Sequence, residues 1–239
     1  DLHYPLRRQR QMCIRDSANA PSQSLLDPVF TLLQSLSSFG YITLIADYLG
    51  FGESAEILHP YFHRESSDAS VADLIHACDE LFINDKIKAL DDGRLFLMGY
   101  SQGAWATLSA LKTMENESYF TKEIIAASCG AGAYDVFEVA KYIFQLETYP
   151  SPLYLPYFIE SHIRNGLLNE SLQKYFNEPY AGLIPGLFDG SNSSRDINAR
   201  LTDSVALLVT AGLRKNFETG SDYQSLRNEL SVNSIDAVS

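Results

Sequence analysis

The sequence predicts an α/β fold, with a mostly parallel sheet carrying helices on both faces and a helical cap inserted into it. Three observations carry this prediction. Continuous apolar, β-branched runs alternate with stretches of helical spacing, the pattern of a parallel sheet covered by helices. One apolar run leads through Gly99-Tyr100-Ser101-Gln102-Gly103 directly into a stretch of good helix formers. Beyond residue 132 the alternation gives way to short helical segments, and twelve of the 28 aromatic residues lie between Tyr134 and Phe188.

The first helix is expected over 24–39, where Leu25, Val29, Leu32, Leu33 and Leu36 share one face and Pro28 suits the first turn. Gly40 stops it. Residues 41–46 are continuous and β-branched, as in a buried parallel strand. The loop Asp47-Tyr48-Leu49-Gly50-Phe51-Gly52-Glu53-Ser54 follows at the carboxyl end of that strand. A helix is expected over 66–82, burying Val71, Leu74, Ile75, Cys78, Leu81 and Phe82, with Ser70 and Asp73 as a capping box. Residues 94–98 and 124–129 give the next two strands. Further helices are expected over 137–145, 156–164 and 170–176, interrupted by Pro150, Pro152 and Pro156. The cap's aromatics have two readings, a small core of their own or the lining of an apolar substrate pocket.

The passage around Ser101 carries the chemistry. Asp91-Asp92-Gly93 is a turn signal, 94–98 a strand, and 104–112 a helix. A serine on a tight turn between strand and helix stands clear of the sheet edge, as a nucleophile must. Gly99 and Gly103 are expected to leave room for the close crossing. The N–H of Gln102, at the helix start, points where an oxyanion would develop. Ser101 is therefore the candidate nucleophile and Gln102 the candidate oxyanion donor. The alternative is an ordinary serine in a glycine-rich turn.

Composition narrows the function classes. The formal charge is −12 over 239 residues. Residues 1–16 resemble a translated sequencing-library adapter, since residues 7–16 back-translate to the transposon adapter without a mismatch. On that resemblance residues 1–17 are set apart from the fold, Ser17 being the junction. The alternative is a basic arm for nucleic acid or anionic lipid. Without residues 1–16, which hold four Arg and two Asp, the rest has 14 basic and 28 acidic residues, a charge of −14. That argues against a nucleic-acid or anionic-membrane partner. No apolar run reaches the roughly 20 residues of a spanning helix. Cys78 and Cys129 read as free buried thiols, and no Cys or His spacing suggests a metal site. No cofactor is implied.

Asp47-Tyr48-x-Gly50-x-Gly52-x-Ser54, His59-Pro60-Tyr61 and Gly99-Tyr100-Ser101-Gln102-Gly103 together resemble the α/β-hydrolases. More narrowly the chain resembles the secretory lipase family typified by fungal lipase A and its bacterial relatives. Leu187-Phe188-Asp189-Gly190 and Ile197-Asn198-Ala199-Arg200-Leu201 support the narrow match. Ala104 departs from it, standing where relatives often carry Gly. The resemblance implies the α/β-hydrolase fold, with 18–132 as the amino-terminal part of the core, 133–200 as the cap, and 201–239 returning toward the core. It implies a structural role for Asp47, and His59 and His63 read as structural or surface residues. It also suggests a secreted or cell-envelope protein.

In this fold the triad runs Ser, then acid, then His. After Ser101 the only histidine is His162, inside the cap. Asp189, Asp196, Asp203, Asp222 and Asp236 lack a preceding buried strand, and the one apolar run there, 205–209, reads as a strand or a helix and is followed promptly by no acid. The expectation is a chain truncated at both ends, with neither triad acid nor triad histidine present and the second oxyanion donor also missing. The expected function of the parent is a serine esterase or lipase acting on a small ester or lipid. The alternatives are an acyltransferase or peptidase of the same fold, and a non-catalytic binding protein. Oligomeric state is left open.

Overall fold

The computed structural model describes residues 20–24, 27–84, 88–116, 120 and 122–235. The adapter-like segment, Leu25 and Asp236 lie outside the described residues. The first helix, α1, spans Pro28–Gln34 and tightens into a 3-10 turn over Ser35–Phe39. Gly40, at a φ of 91°, ends it. This is shorter than the periodicity predicts and begins at the proline, which lacks the N–H a helix interior needs.

Residues 41–46 do not form the expected strand. They make no ladder hydrogen bond among the described residues, and Tyr41, Ile42 and Leu44 are exposed. The run still lies beside the sheet, with the Tyr41 ring edge-on to Phe96 at 5.8 Å. β-branched residues favour extended backbone, but a strand also needs partners that satisfy its amides.

The described sheet pairs β1 (Arg94–Tyr100) in parallel with β2 (Glu123–Gly130), from Arg94 opposite Glu123 to Tyr100 opposite Gly130. Exposure alternates strictly along β1, as the period of two requires. Leu95, Leu97 and Ile124 face two helices, α2 (Arg64–Ile83) and α3 (Gln102–Asn116), and pack on Ile75, Ala110 and Met114. Phe96 and Met98, on the other face, line one cavity with Phe30 and Leu33 of α1.

α2 begins six residues before the proposed capping box. Its N-cap is His63, whose Nδ1 accepts from the N–H of Ser66. Ser70 is mid-helix and donates its hydroxyl to the Ser66 carbonyl. At the strand ends, the Lys122 ammonium is held between Asp79 (2.6 Å) and Asp91 (2.5 Å).

The helical layer contains α4 (Val136–Gln145), α5 (Tyr154–Arg164), α6 (Tyr180–Leu183), α7 (Ser194–Arg200), α8 (Val205–Leu208), α9 (Ala211–Asn216) and α10 (Gln224–Val232). The helix expected over 170–176 is only a 3-10 turn, Leu172–Lys174. One buried cluster joins Val136, Phe144, Ile159 and Leu187 to Val205, Leu213, Leu226 and Leu230. The layer thus continues past Arg200 through α10. Most cap aromatics sit in this cluster, Tyr175 and Phe176 fully so.

A buried polar seam fastens the layer to the sheet. Asn233 accepts from the Arg64 N–H (2.8 Å) and, through its carbonyl, from Trp105 Nε1 (2.9 Å). His162 on α5 is fully buried, with Nε2 2.9 Å from the Tyr61 carbonyl and Nδ1 3.0 Å from Glu229 of α10. Both ring nitrogens face oxygen acceptors, an arrangement an imidazolium satisfies completely. Burial pushes the Glu229 carboxyl up, but the His162 and Asn233 hydrogen bonds outweigh it and hold the group below its usual range. Removing one member strands the other in the interior. His162→Leu is expected to cost roughly 3 kcal/mol of stability, read by urea unfolding, and an unchanged midpoint would refute the seam's importance.

Candidate active site

The site grows from the crossing of β1 and α3. A Cβ on Gly99 would collide with the Gly103 carbonyl and come within 2.5 Å of Thr107 Oγ1. Gly99 is therefore required by the crossing. Gly103 is not required in that way, because beyond its own helix backbone and chain neighbours a Cβ there would meet nothing within 4 Å among the described residues. The crossing presents the carbonyl of Gly103, not its Cα hydrogens, to the strand.

The chain turns from strand to helix at Ser101, which has a φ of 57°. A non-glycine residue in this left-handed region is strained and must be held by its surroundings. Three hydrogen bonds hold it. Its N–H donates to the Gly130 carbonyl at 2.9 Å, and its carbonyl accepts from the N–H groups of Ala104 (3.0 Å) and Trp105 (3.2 Å). Ala131, next to Gly130, is also left-handed, at 55°. Ser101 is exposed. The N–H groups of Gln102 and Gly103, in the first turn of α3, have no carbonyl partner within the helix.

Ser101 opens onto a cavity of about 1060 Å³, whose lining includes Tyr48, Phe51, Tyr61, Tyr154 and Phe158. Of the cap aromatics, Tyr154 and Phe158 line this cavity and also pack in or against the core cluster of the helical layer.

The glycine-rich loop shapes one side of the site. Asp47 accepts from the N–H of Ser22 (3.2 Å) and from its hydroxyl, and Gly52 packs on the same carboxylate. Gly50, at a φ of 92°, lets His59 approach: a Cβ there would lie 2.5 Å from the His59 backbone. His59 is not at the surface. It is buried among Tyr48, Phe51, Tyr61 and Tyr157, with Nδ1 2.7 Å from the Leu49 carbonyl and Nε2 2.7 Å from Gln102 Nε2. Burial pushes its pKa down to about 4, with the nearby His162 adding to the shift and the bond to Leu49 opposing it.

Two of the acids and several of the histidines that the sequence offers are engaged in other contacts. Asp189 accepts from Ser191 (2.6 Å), and Asp196 forms a capping box with Ser193 at the start of α7. His63 caps α2, His162 lies in the seam, and the His76 ring meets Phe120 at 6.3 Å. Among the described residues no histidine is hydrogen-bonded to the Ser101 hydroxyl. No group of three His, Cys, Asp or Glu is placed to hold a metal, and no helix is long and apolar enough to cross a membrane, again among the described residues.

A model of the prolyl oligopeptidase family matches residues 29–149, half of the sequence. The chain belongs to the prolyl oligopeptidase family. The matched span runs from α1 through the start of the helical layer and includes the Ser101 turn. No curated protein matches by sequence. Solved structures match well. A Legionella pneumophila protein assigned as a hydrolase has a TM-score of 0.78 at 25% identity, over 92% of this chain and 58% of its own. A point mutant of the rice cell wall degrading esterase LipA from Xanthomonas oryzae has a TM-score of 0.77 at 23% identity, over 92% of this chain and 59% of its own. A ligand-bound form of that esterase has a TM-score of 0.66 at 22% identity, over 78% and 50%. The fold of this prolyl oligopeptidase family member is that of the α/β-hydrolases. The chain spans less than two thirds of the length of these structures.

The depressed pKa of His59 sets a pH dependence. Its folded value lies below its unfolded one, so its contribution to stability is complete above about pH 6.5 and is lost as pH falls toward 4. Unfolding free energy should drop by about 3 kcal/mol across that window from this group. His63, also held low mainly by burial, adds to the drop with the same sign. His59→Leu should flatten the slope. An equally steep slope in that variant would contradict the assignment.

Proposed function

We propose that this chain carries the nucleophile of a serine hydrolase that cleaves carboxylic esters with an apolar acyl part. The observation that carries the proposal is a strained, exposed Ser101 at a strand-to-helix turn, opening onto a large apolar cavity. Phe62 and Ala131 share the left-handed backbone, which costs on the order of 1–3 kcal/mol, but of the three only Ser101 brings a hydroxyl to the cavity.

In this reading Ser101 Oγ attacks the ester carbonyl carbon while a base takes its proton. The carbonyl electrons move onto oxygen, where the Gln102 N–H stabilises them. Collapse expels the alcohol, which recovers the proton from the base and leaves an acyl-serine. Water then attacks the acyl carbon by the same route and frees the acid. The base and its orienting acid enter from outside the described residues, since each described histidine has another geometric setting. The resemblance to secretory lipases and the esterase LipA among similar structures support esters as the substrate class. No cofactor is needed for this chemistry.

The family match favours a second reading, a peptidase acting on amide bonds. The two separate by substrate. The full protein should hydrolyse nitrophenyl esters of medium-chain fatty acids far faster than aminoacyl-prolyl nitroanilides. Ser101→Ala should lower ester hydrolysis by on the order of 10⁴-fold or more, and an organophosphonate should add one phosphonyl group at Ser101 by mass spectrometry. Preference for the prolyl amide would establish the peptidase, and full activity in Ser101→Ala would end both readings.

A further inference from the structure

We propose that His59 is a positioning residue, which as a neutral imidazole holds the side chain of Gln102 and so fixes the peptide that presents the oxyanion-binding N–H. The inference rests on the serine-hydrolase reading above and goes beyond it by naming a group that never touches substrate.

Donors and acceptors allow one arrangement of the neutral ring. The Leu49 carbonyl can only accept, so His59 Nδ1, 2.7 Å away, carries the hydrogen. Nε2 is then a bare lone pair, and the Gln102 amide, 2.7 Å away, donates to it. The chain of bonds runs from Gln102 through His59 into the backbone of the glycine-rich loop. Its far end is rigid, because Gly50 sits against the His59 backbone and Asp47 anchors the same loop to Ser22. Rings on several sides hold the imidazole, the tightest being Phe51 at 4.7 Å between centroids.

The near end matters most. Gln102 follows the nucleophile and opens α3, so its N–H lies one peptide from Ser101. With its side chain free, only the strained turn would fix that peptide. With the side chain anchored, the peptide is held from both sides. A donor aimed at a developing oxyanion gains its effect from being fixed beforehand. The glutamine therefore contributes its backbone to the reaction and its side chain to the alignment of that backbone. Asp47-Tyr48-Leu49-Gly50-Phe51-Gly52 and His59 form the scaffold that receives it, which gives two separate sequence motifs one physical task.

The test is a double-mutant cycle in the full protein, on a nitrophenyl ester, with unfolding measured for every variant. His59→Leu removes the acceptor, and Gln102→Met removes the donor while keeping the backbone N–H. Each should lower kcat by ten- to a hundredfold with KM within about twofold, and the double variant should be no slower than the worse single one. Affinity for an alkyl boronic acid, which forms a tetrahedral adduct on the serine, should fall in parallel. If His59→Leu does not fold, Gln102→Met alone decides the matter by the same kcat and KM criterion. Unchanged kcat in a folded variant, or fully additive losses, would overturn the inference while leaving the proposed function intact. Activity that survives Ser101→Ala would remove both.

Discussion

The close crossing of β1 over α3 is the constraint from which the site follows. With no Cβ on Gly99, the strand can run against the carbonyl of Gly103, and the chain must then reverse within one residue. That residue is Ser101, and the reversal is what places it at a φ of 57°. The carbonyl of Gly130 on β2 secures its N–H, so the neighbouring strand helps to hold the turn. Exposure of Ser101, the N–H groups at the start of α3 that have no partner within the helix, and the mouth of the cavity all derive from this crossing.

The second organising element is the segment from Leu58 to His63. Its backbone is fastened to α5 and its C-cap at three points: Asn165 Nδ2 donates to the Leu58 carbonyl, the Tyr61 N–H donates to Ser161 Oγ, and His162 donates to the Tyr61 carbonyl. Phe62 takes a left-handed φ of 57°, which turns its ring edge-on to Trp105. One short loop thereby serves three layers. It supplies His59 to the site, Tyr61 to the cavity wall and His63 to the start of α2.

Much of this was legible in the sequence where the information is local. The strand–turn–helix around Ser101 is encoded within about twenty residues, and the two observed strands and the helices α4 and α5 fall within a few residues of their expected places. What failed depends on partners distant in sequence. Residues 41–46 have strand composition but no ladder among the described residues, so composition alone misled. Ser70 and Asp73 match a capping pattern, yet His63 starts the helix earlier because its imidazole reaches the Ser66 N–H. For His59 the structural reading stands and the surface one does not, but nothing in its neighbours shows that Gln102, 43 positions away, faces it. The only available signal was a polar glutamine directly after a candidate nucleophile, which in a buried setting must find a partner.

The seam around Asn233 has a spectroscopic consequence. The sequence has a single tryptophan. Trp105 is fully buried on α3, with Phe62 against its ring at 5.0 Å and its indole N–H given to the Asn233 carbonyl beyond α10. It thus sits where the nucleophile helix, the loop after Leu58 and the last helix of the helical layer meet. Intrinsic fluorescence from this protein is therefore a single-site signal, and it reports on the docking of the helical layer against the sheet rather than on an average over the fold. Separation of the two layers would hydrate the indole and shift its emission to the red, even where every helix stays intact.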